Sequence, residues 1–238
     1  MPRIARVVVP GMSHHITQRG IRRLNVFRDD EDRLIYLKLF ALSSYRYLLT
    51  VRAYALMSNH VHFVATPARP DSIHKVFHWC HTAYVDYFNE KYSLSGHLWE
   101  QRPFSCVLSE DHLWNTMRYV ELNPVRARMV SCARDYRWSS AGAHSLGSAD
   151  PLLAGDDRLA IPGWTDWLAG EGYDPKVDDY IRACTFSGRP CGDEAFVLDL
   201  ERLTQRRLRP GKPGPKPKAW KTENLSLDLG EDKPAESG

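Results

Sequence analysis

The chain has 238 residues, of which 43% are hydrophobic, and its formal net charge at pH 7 is +3. This length and apolar content are sufficient for a buried core, so we predict a globular protein with one large domain or one domain plus additions. No stretch approaches the roughly 20 apolar residues of a membrane-spanning helix, which excludes a transmembrane protein and predicts a cytoplasmic, nucleoid-associated one.

The charge is unevenly distributed along the chain. Residues 1–147 hold 19 basic and 12 acidic side chains, residues 150–203 hold 5 and 12, and seven of the eight basic side chains after residue 203 lie between Arg206 and Lys221. A basic N-terminal region (residues 1–147) and a basic segment near the C-terminus favour a polyanionic partner. Ordinary solvated surface charge is also compatible with this distribution.

Neither the cysteines nor the clustered histidines predict a zinc site or a disulfide framework. The five cysteines are widely spaced and form no CxxC pair, which is typical of reduced thiols. His74 and His78 have the i, i+4 spacing, but they lie in a helical pattern. A surface or packing role is the better interpretation for these two histidines.

The hydrophobic pattern predicts two successive β-α-β units. In chain order, the predicted elements are a strand over 11–20, a helix from Asp30 or Asp32 to about Ser44, strands over 47–57 and 59–66, a helix over 72–89 and a strand over 96–108. The order β-α-β-β-α-β is typical of the ferredoxin-like α+β fold, an antiparallel sheet with its helices on one face. Pro103 predicts an interruption in the last strand.

Two histidines in the predicted strand 59–66 form half of a candidate metal site. His60 and His62 are two residues apart, and side chains at that spacing project from the same face of a strand. A hydrogen-bonded pair of histidines in a core gives the same pattern. Further ligands are therefore needed to distinguish these two interpretations.

A third predicted helix, over 113–122, supplies the remaining candidate groups. Tyr119 and Asn123 are four residues apart and so point the same way. A phenol beside a divalent cation that polarises a phosphate can attack that phosphate. We therefore predict that His60, His62 and the amide oxygen of Asn123 hold the cation while Tyr119 is the nucleophile.

Several other residues have two open interpretations each. Tyr84 and Tyr87 are rival nucleophiles but are more typical of an apolar helix face. Trp99 and Phe104 could stack on bases or pack in the core, and His14 or His15 could lie near the metal or be structural. The candidate DNA-binding arginines are Arg19, Arg22, Arg23, Arg102, Arg126 and Arg128. The first three could instead pair with the acidic run 29–32, and the last two could cap the helix that precedes them.

Five motifs, in order over roughly residues 8–145, resemble one family. They are Gly-Met-Ser-His-His-Ile-Thr-Gln-Arg-Gly (11–20), Leu-Met-Ser-Asn-His-Val-His-Phe (56–63), Gly-His-Leu-Trp-Glu-Gln-Arg-Pro-Phe-Ser (96–105), Arg-Tyr-Val-Glu-Leu-Asn-Pro-Val-Arg-Ala (118–127) and Tyr-Arg-Trp-Ser-Ser-Ala (136–141). This set is similar to that of the REP-associated tyrosine transposases, bacterial relatives of the IS200-like single-tyrosine HUH transposases. Glu100-Gln101 and Pro103 depart from the family pattern and leave the path of that strand open.

The resemblance implies a metal-dependent nuclease and strand transferase on a ferredoxin-like sheet, which acts on single-stranded or hairpin DNA of repeated palindromes. It places the motif histidines at His60 and His62, the nucleophile at Tyr119 and the amide ligand at Asn123. The implied intermediate is a 5′-phosphotyrosine, and Mg²⁺ or Mn²⁺ suits the reaction. A domesticated, non-catalytic hairpin-DNA-binding regulator is the alternative, an RNA-processing role is a third, and either a monomer or a homodimer is compatible.

The sequence divides into three predicted parts. Residues 1–147 form the HUH transposase core, 148–208 an acidic helical extension, and 209–238 a disordered tail that is first basic and then acidic.

Overall fold

A four-stranded antiparallel sheet organises the fold. In the computed structural model, which describes residues 4–153, 160–170 and 174–210, the strands lie in the order β2-β3-β1-β4. They are His14–Arg19 (β1), Leu49–Met57 (β2), His60–Pro67 (β3) and Phe104–Val107 (β4). This spatial order is that of a ferredoxin-like sheet, so the predicted α+β class is confirmed.

Two long helices cover one face of the sheet, as predicted. Helix α1 (Asp30–Arg46) begins at a capping box in which the side chain of Asp29 accepts from the backbone N–H of Asp32, and α2 is Ser72–Tyr92. Phe40 of α1 stacks on Phe63 of β3 at a centroid distance of 4.0 Å. The core on this face is rich in buried aromatic rings, among them Phe27, Tyr36, Tyr54, Phe77, Tyr84 and Trp99.

A second layer of helices covers the opposite face. It comprises α3 (Glu110–Glu121), α4 (Asn123–Arg126), α5 (Ala141–Leu146), α6 (Trp164–Ala169) and α7 (Pro175–Ser187). The last helix, α8 (Glu194–Thr204), instead packs through Leu200 against Val7, Val9 and Val107. Helix α3 packs on β2 and β3, and α7 packs on β4 and β1. The strands present small side chains to these helices, including Ala53, Ala55 and Cys106. Small side chains let a helix backbone approach the sheet closely.

A buried carboxylate anchors α3 to the segments that follow it. Glu121, which is fully buried, accepts hydrogen bonds from the Ser140 hydroxyl, from Nδ1 of His144 and, at 2.6 Å, from Nε1 of Trp164. Three donors satisfy a charge that would otherwise be costly to bury. This network holds the chain after α3 in place and therefore fixes how α3 sits on the sheet.

The structure differs from the predicted elements mainly around two prolines. The last strand begins only at Phe104, after Pro103, and Trp99 forms an isolated bridge with Gly20 instead of a continuous strand. Helix α3 ends at Glu121, one residue before the predicted end, and Pro124 lies in the first turn of α4, where a missing backbone N–H costs little.

The predicted domain boundaries remain predictions. Most of the predicted tail, and residues 154–159 and 171–173 of the predicted extension, lie outside the described residues. Among the residues that the structure describes, no helix is long and apolar enough to cross a membrane.

Candidate active site

The register of the sheet places three histidines on the face beneath α3. His62 of β3 pairs with Thr17 of β1, and His15 of β1 pairs with Val64 of β3, so both imidazoles point to the side of α3. The rings of His60 and His62 are 4.9 Å apart, and those of His15 and His62 lie parallel at 5.3 Å. His60 and His62 therefore share one face, as their spacing predicts.

Both candidate ligands keep one ring nitrogen engaged within the protein. Nδ1 of His60 lies 2.6 Å from Oδ1 of Asn59, whose Nδ2 donates to the carbonyl of Arg23. Nδ1 of His62 lies 3.1 Å from Nε2 of His15. The Nε2 atoms of His60 and His62 are left as the available ligand atoms. Hydrogen bonds of this kind orient metal-binding histidines.

Burial keeps these imidazoles uncharged near neutral pH. Burial, together with the positive charge of Arg19, lowers the pKa of His60 to about 4. Burial and the neighbouring His60 hold the pKa of His62 well below its ordinary value, and burial lowers the pKa of His15 to about 3. A neutral imidazole is the form that binds a metal ion.

Tyr119 lies directly against the paired imidazoles in the same chain. Its ring meets the ring of His62 edge-on at 5.8 Å and that of His15 at 5.6 Å. The amide nitrogen of Asn123 donates to the carbonyls of Tyr119, at 3.1 Å, and Val120. These bonds fix the amide so that its oxygen is the end available to a ligand.

Arginine side chains cover the ring of Tyr119. The guanidinium of Arg126 lies 4.5 Å from the ring centroid, and that of Arg182 lies 5.6 Å from it. Arg182 also forms a side-chain hydrogen bond with Tyr119, whose exposed fraction is only 4%. Arg126 donates to the carbonyl of Tyr119 as well. It thus makes the expected helix-capping contact while remaining over the phenol.

Helix α7 contributes a stripe of polar side chains to the site. Asp178 lies 3.1 Å from Arg126, and burial raises the pKa of this carboxyl group. Arg182 follows four residues later and Thr185, which contacts His15 at 2.7 Å, three residues after that. This spacing puts all three on one helix face. Sequence reasoning missed these residues because nothing in an acidic helix indicates which strand it packs against.

The candidate DNA-binding arginines occupy different places. Arg19 is half-buried beside His60, with which it pairs across β1 and β3. Arg22 and Arg23 are exposed in the turn after β1, with φ of 51° and 62°. Such backbone conformations are uncommon for residues other than glycine and often occur at functional sites.

Two further candidates, Arg102 and Arg128, lie exposed on the surface. Arg102 is exposed, donates to the carbonyl of Ile4, and lines with Arg22 a surface cavity of about 690 Å³. Arg128 is exposed after α4 with φ of 56°. The acidic run 29–32 contacts Lys91, at 2.8 Å for Asp29, so the predicted pairing of this run with the turn arginines is not what the structure shows.

The rival nucleophiles lie on the other side of the sheet. The hydroxyl of Tyr84 donates to the carbonyl of Val26 at 2.6 Å, and that of Tyr87 donates to Asp32 at 3.2 Å. Trp99 is buried and stacks on His81 at 4.2 Å. These contacts favour the structural interpretation of all three aromatic residues.

Among the described residues, no group of three or more His, Cys, Asp or Glu side chains is placed to hold a metal ion. The predicted ligand set combines two histidines with an amide, so it is not a group of that kind. The assignments of Tyr119, His60, His62 and Asn123 stay predictions.

Comparisons with known proteins bear on the family. A family model described as "Transposase IS200 like" matches residues 8–123. No curated protein matches the sequence. A solved REP-associated tyrosine transposase bound to a REP hairpin is similar in fold, with a TM-score of 0.50 and 17% identity over 66% of this chain and 93% of that one.

A putative transposase from Deinococcus radiodurans R1 matches with a TM-score of 0.36 and 18% identity, over 50% of this chain and 95% of that one. The family model covers the strands that carry the histidines as well as the helix that carries Tyr119. Residues 8–123 of this chain therefore match the IS200-like transposase family.

Proposed function

We propose that this protein is a REP-associated tyrosine transposase, a metal-dependent enzyme that cleaves and rejoins single-stranded or hairpin DNA through Tyr119. The observation that carries the proposal is the position of Tyr119, which lies edge-on against His62 in the same chain and beneath two guanidinium groups. A phenol, a pair of neutral imidazoles and two cations form a site suited to a phosphodiester.

The residues present fit a divalent cation. Nε2 of His60, Nε2 of His62 and Oδ1 of Asn123 are the atoms that would hold Mg²⁺ or Mn²⁺, since the other polar atom of each side chain is already hydrogen-bonded within the protein. When bound, the cation supplies polarisation of the phosphate. Imidazole with oxygen ligands suits these two ions.

The chain's own residues account for the remainder of the cleavage step. The oxygen of Tyr119 forms a bond to the phosphorus and loses its proton, while the bond from phosphorus to the 3′-oxygen breaks and that oxygen leaves as a hydroxyl. The product is a 5′-phosphotyrosine, and attack by another 3′-hydroxyl reverses the step and joins strands. Arg126 and Arg182 bind the phosphate oxygens with planar, bidentate donors.

The exposed arginines, and the solved similar protein that is bound to a REP hairpin, support DNA as the partner. Arg22 and Arg23 form a basic turn at the end of the sheet where His60 lies. Contacts from such a turn to the backbone position the DNA and carry no sequence information by themselves.

A covalent-adduct assay tests the proposal. A labelled hairpin oligonucleotide, drawn from palindromes that flank the gene, is incubated with the protein and Mn²⁺, and adducts are resolved by denaturing electrophoresis. The wild type is expected to form an adduct that is absent in Tyr119→Phe and retained in Tyr87→Phe, a matched change on the opposite face of the sheet.

Two outcomes would count against this proposal, the first against Tyr119 as the nucleophile and the second against enzymatic activity. An adduct that survives Tyr119→Phe would move the nucleophile elsewhere. Hairpin binding without cleavage under any divalent ion would favour the non-catalytic regulator, whose binding should then weaken steeply with salt.

We also propose that one chain makes a complete site, whether the protein is a monomer or a homodimer. A mixture of Tyr119→Phe and His62→Ala proteins should then form no adduct, because neither chain holds both groups. Recovery of the adduct in the mixture would show that two chains share the site.

A further inference from the structure

We infer that Thr185 and His15 set the tautomer of His62 and so leave its Nε2 unprotonated towards the catalytic face. This inference rests on the proposed role of His62 as a metal ligand. Thr185 belongs to α7, outside the residues 8–123 that match the family model.

The direction of the hydrogen bonds is fixed at the end farthest from the site. The hydroxyl of Thr185 donates to the carbonyl of Ile181 at 2.7 Å, because a carbonyl oxygen can only accept. The single hydroxyl hydrogen is thereby used. Nδ1 of His15, at 2.7 Å from the same oxygen, must therefore be the donor in that contact.

The next link follows from the burial of His15. Its side chain is 1% exposed, and its two ring nitrogens contact Thr185 and His62 rather than a carboxylate. A second proton would leave an uncompensated charge in an apolar environment, which is costly. With its one proton on Nδ1, His15 accepts at Nε2, and the donor at 3.1 Å is Nδ1 of His62.

The consequence appears on the opposite side of the His62 ring. A neutral imidazole carries one proton, and in His62 the contact with His15 places that proton on Nδ1. Nε2 then presents a lone pair beside Tyr119. In the other tautomer, a hydrogen on Nε2 would occupy the lone pair through which His62 would bind a metal ion, so Thr185 and His15 act as positioning residues for the site.

Long-range ¹H–¹⁵N correlation NMR on the metal-free protein tests the tautomer directly. We expect His62 and His15 each to be protonated at Nδ1 in the wild type. Thr185→Val removes the hydroxyl at nearly constant volume, and both histidines should then redistribute towards the Nε2-protonated form. Thr185→Ser should restore the wild-type pattern.

Mn²⁺ titration followed by electron paramagnetic resonance gives a second readout. Thr185→Val should weaken Mn²⁺ binding about 10- to 100-fold, as loss of a hydrogen bond behind a metal ligand does elsewhere. Thr185→Ser should bind as the wild type does. Cys106→Ala is the matched control, because Cys106 contacts Thr185 at 3.3 Å without joining the chain of bonds to His62.

Two results would overturn the inference: a wild-type His62 protonated at Nε2, or a Thr185→Val protein with unchanged tautomers and Mn²⁺ affinity. If the wild type bound no Mn²⁺ at all, the proposed function would fail. The NMR measurement would still decide the tautomer.

Discussion

The two faces of the sheet carry different kinds of side chain. Beneath α1 and α2, large aromatic rings interlock, as in the pair Phe40 and Phe63. Beneath α3 and α7, alanines and cysteines surround a group of imidazoles, a phenol and two guanidinium groups. The first face provides apolar burial, and the second brings polar groups into fixed contact.

Small residues on the second face make that contact possible. Ala55 of β2 lies beside His62 across the strand pair, and Met57 lies beside His60. An alanine there lets α3 approach closely enough for the ring of Tyr119 to reach His62. Phe63, only one residue from His62, points to the opposite face. Successive side chains of β3 thus alternate between the aromatic core on one face and the candidate site on the other.

The largest loss of stability should come from removing an aromatic ring from the core beneath α1 and α2. Phe63→Ala removes a fully buried ring and should lower the free energy of unfolding by about 3–5 kcal/mol. Urea unfolding at equilibrium measures this loss. Val64→Ala, the next residue on the other face, is the control with a smaller volume change. Equal losses in the two variants would show that the faces do not differ in packing.

The next largest loss of stability should come from changing the buried carboxylate that anchors α3. Glu121→Gln replaces an acceptor of three hydrogen bonds with an amide that must itself donate. We expect a loss of about 2–3 kcal/mol, the range for charged hydrogen bonds left unmade. Trp164→Phe removes one of the three donors and should cost less. A Glu121→Gln protein as stable as the wild type would mean that this carboxylate does not hold α3.

Sequence patterns predicted the sheet better than the second helical layer. Alternation placed His60 and His62 on one face, and four-residue spacing aligned Tyr119 with Asn123, because both are local periodicities. The contact of His15 with His62 depends on how β1 pairs with β3, which no local pattern encodes. Thr185 and Arg182 reach the site only because α7 packs on β4 and β1, some 70 residues or more away in sequence from those strands.

Stability should depend on pH through buried histidines away from the site. Burial lowers the pKa of His81, which contacts Tyr36 and Trp99 on the aromatic face, to about 3. Burial likewise lowers the pKa of His14 to about 4. Below about pH 6.5 the unfolded chain binds protons that the folded chain does not, so the free energy of unfolding should fall as the pH falls.

Each such histidine should contribute up to about 1.4 kcal/mol per pH unit to this decline. Urea unfolding between pH 7 and pH 4 measures it. His81→Gln should flatten the decline throughout that range, and His14→Gln should flatten it down to about pH 4. An unchanged slope in both variants would show that these imidazoles are protonated in the folded state.

The smallest effect on stability should come from the exposed turn that ends β1. Arg22→Ala removes a solvent-exposed side chain, and its free energy of unfolding should stay within about 0.5 kcal/mol of the wild type. Hairpin binding should weaken for every sequence tested, and the slope of log affinity against log salt should fall by about one, because one phosphate contact is lost.

Arg46→Ala is the matched control. Arg46 is exposed at the end of α1, close to where β2 begins and at the opposite end of the sheet from His60. Equal salt slopes for Arg22→Ala and the wild type would place the DNA elsewhere, and a lower slope in Arg46→Ala would mean that the basic surface extends over both ends of the sheet.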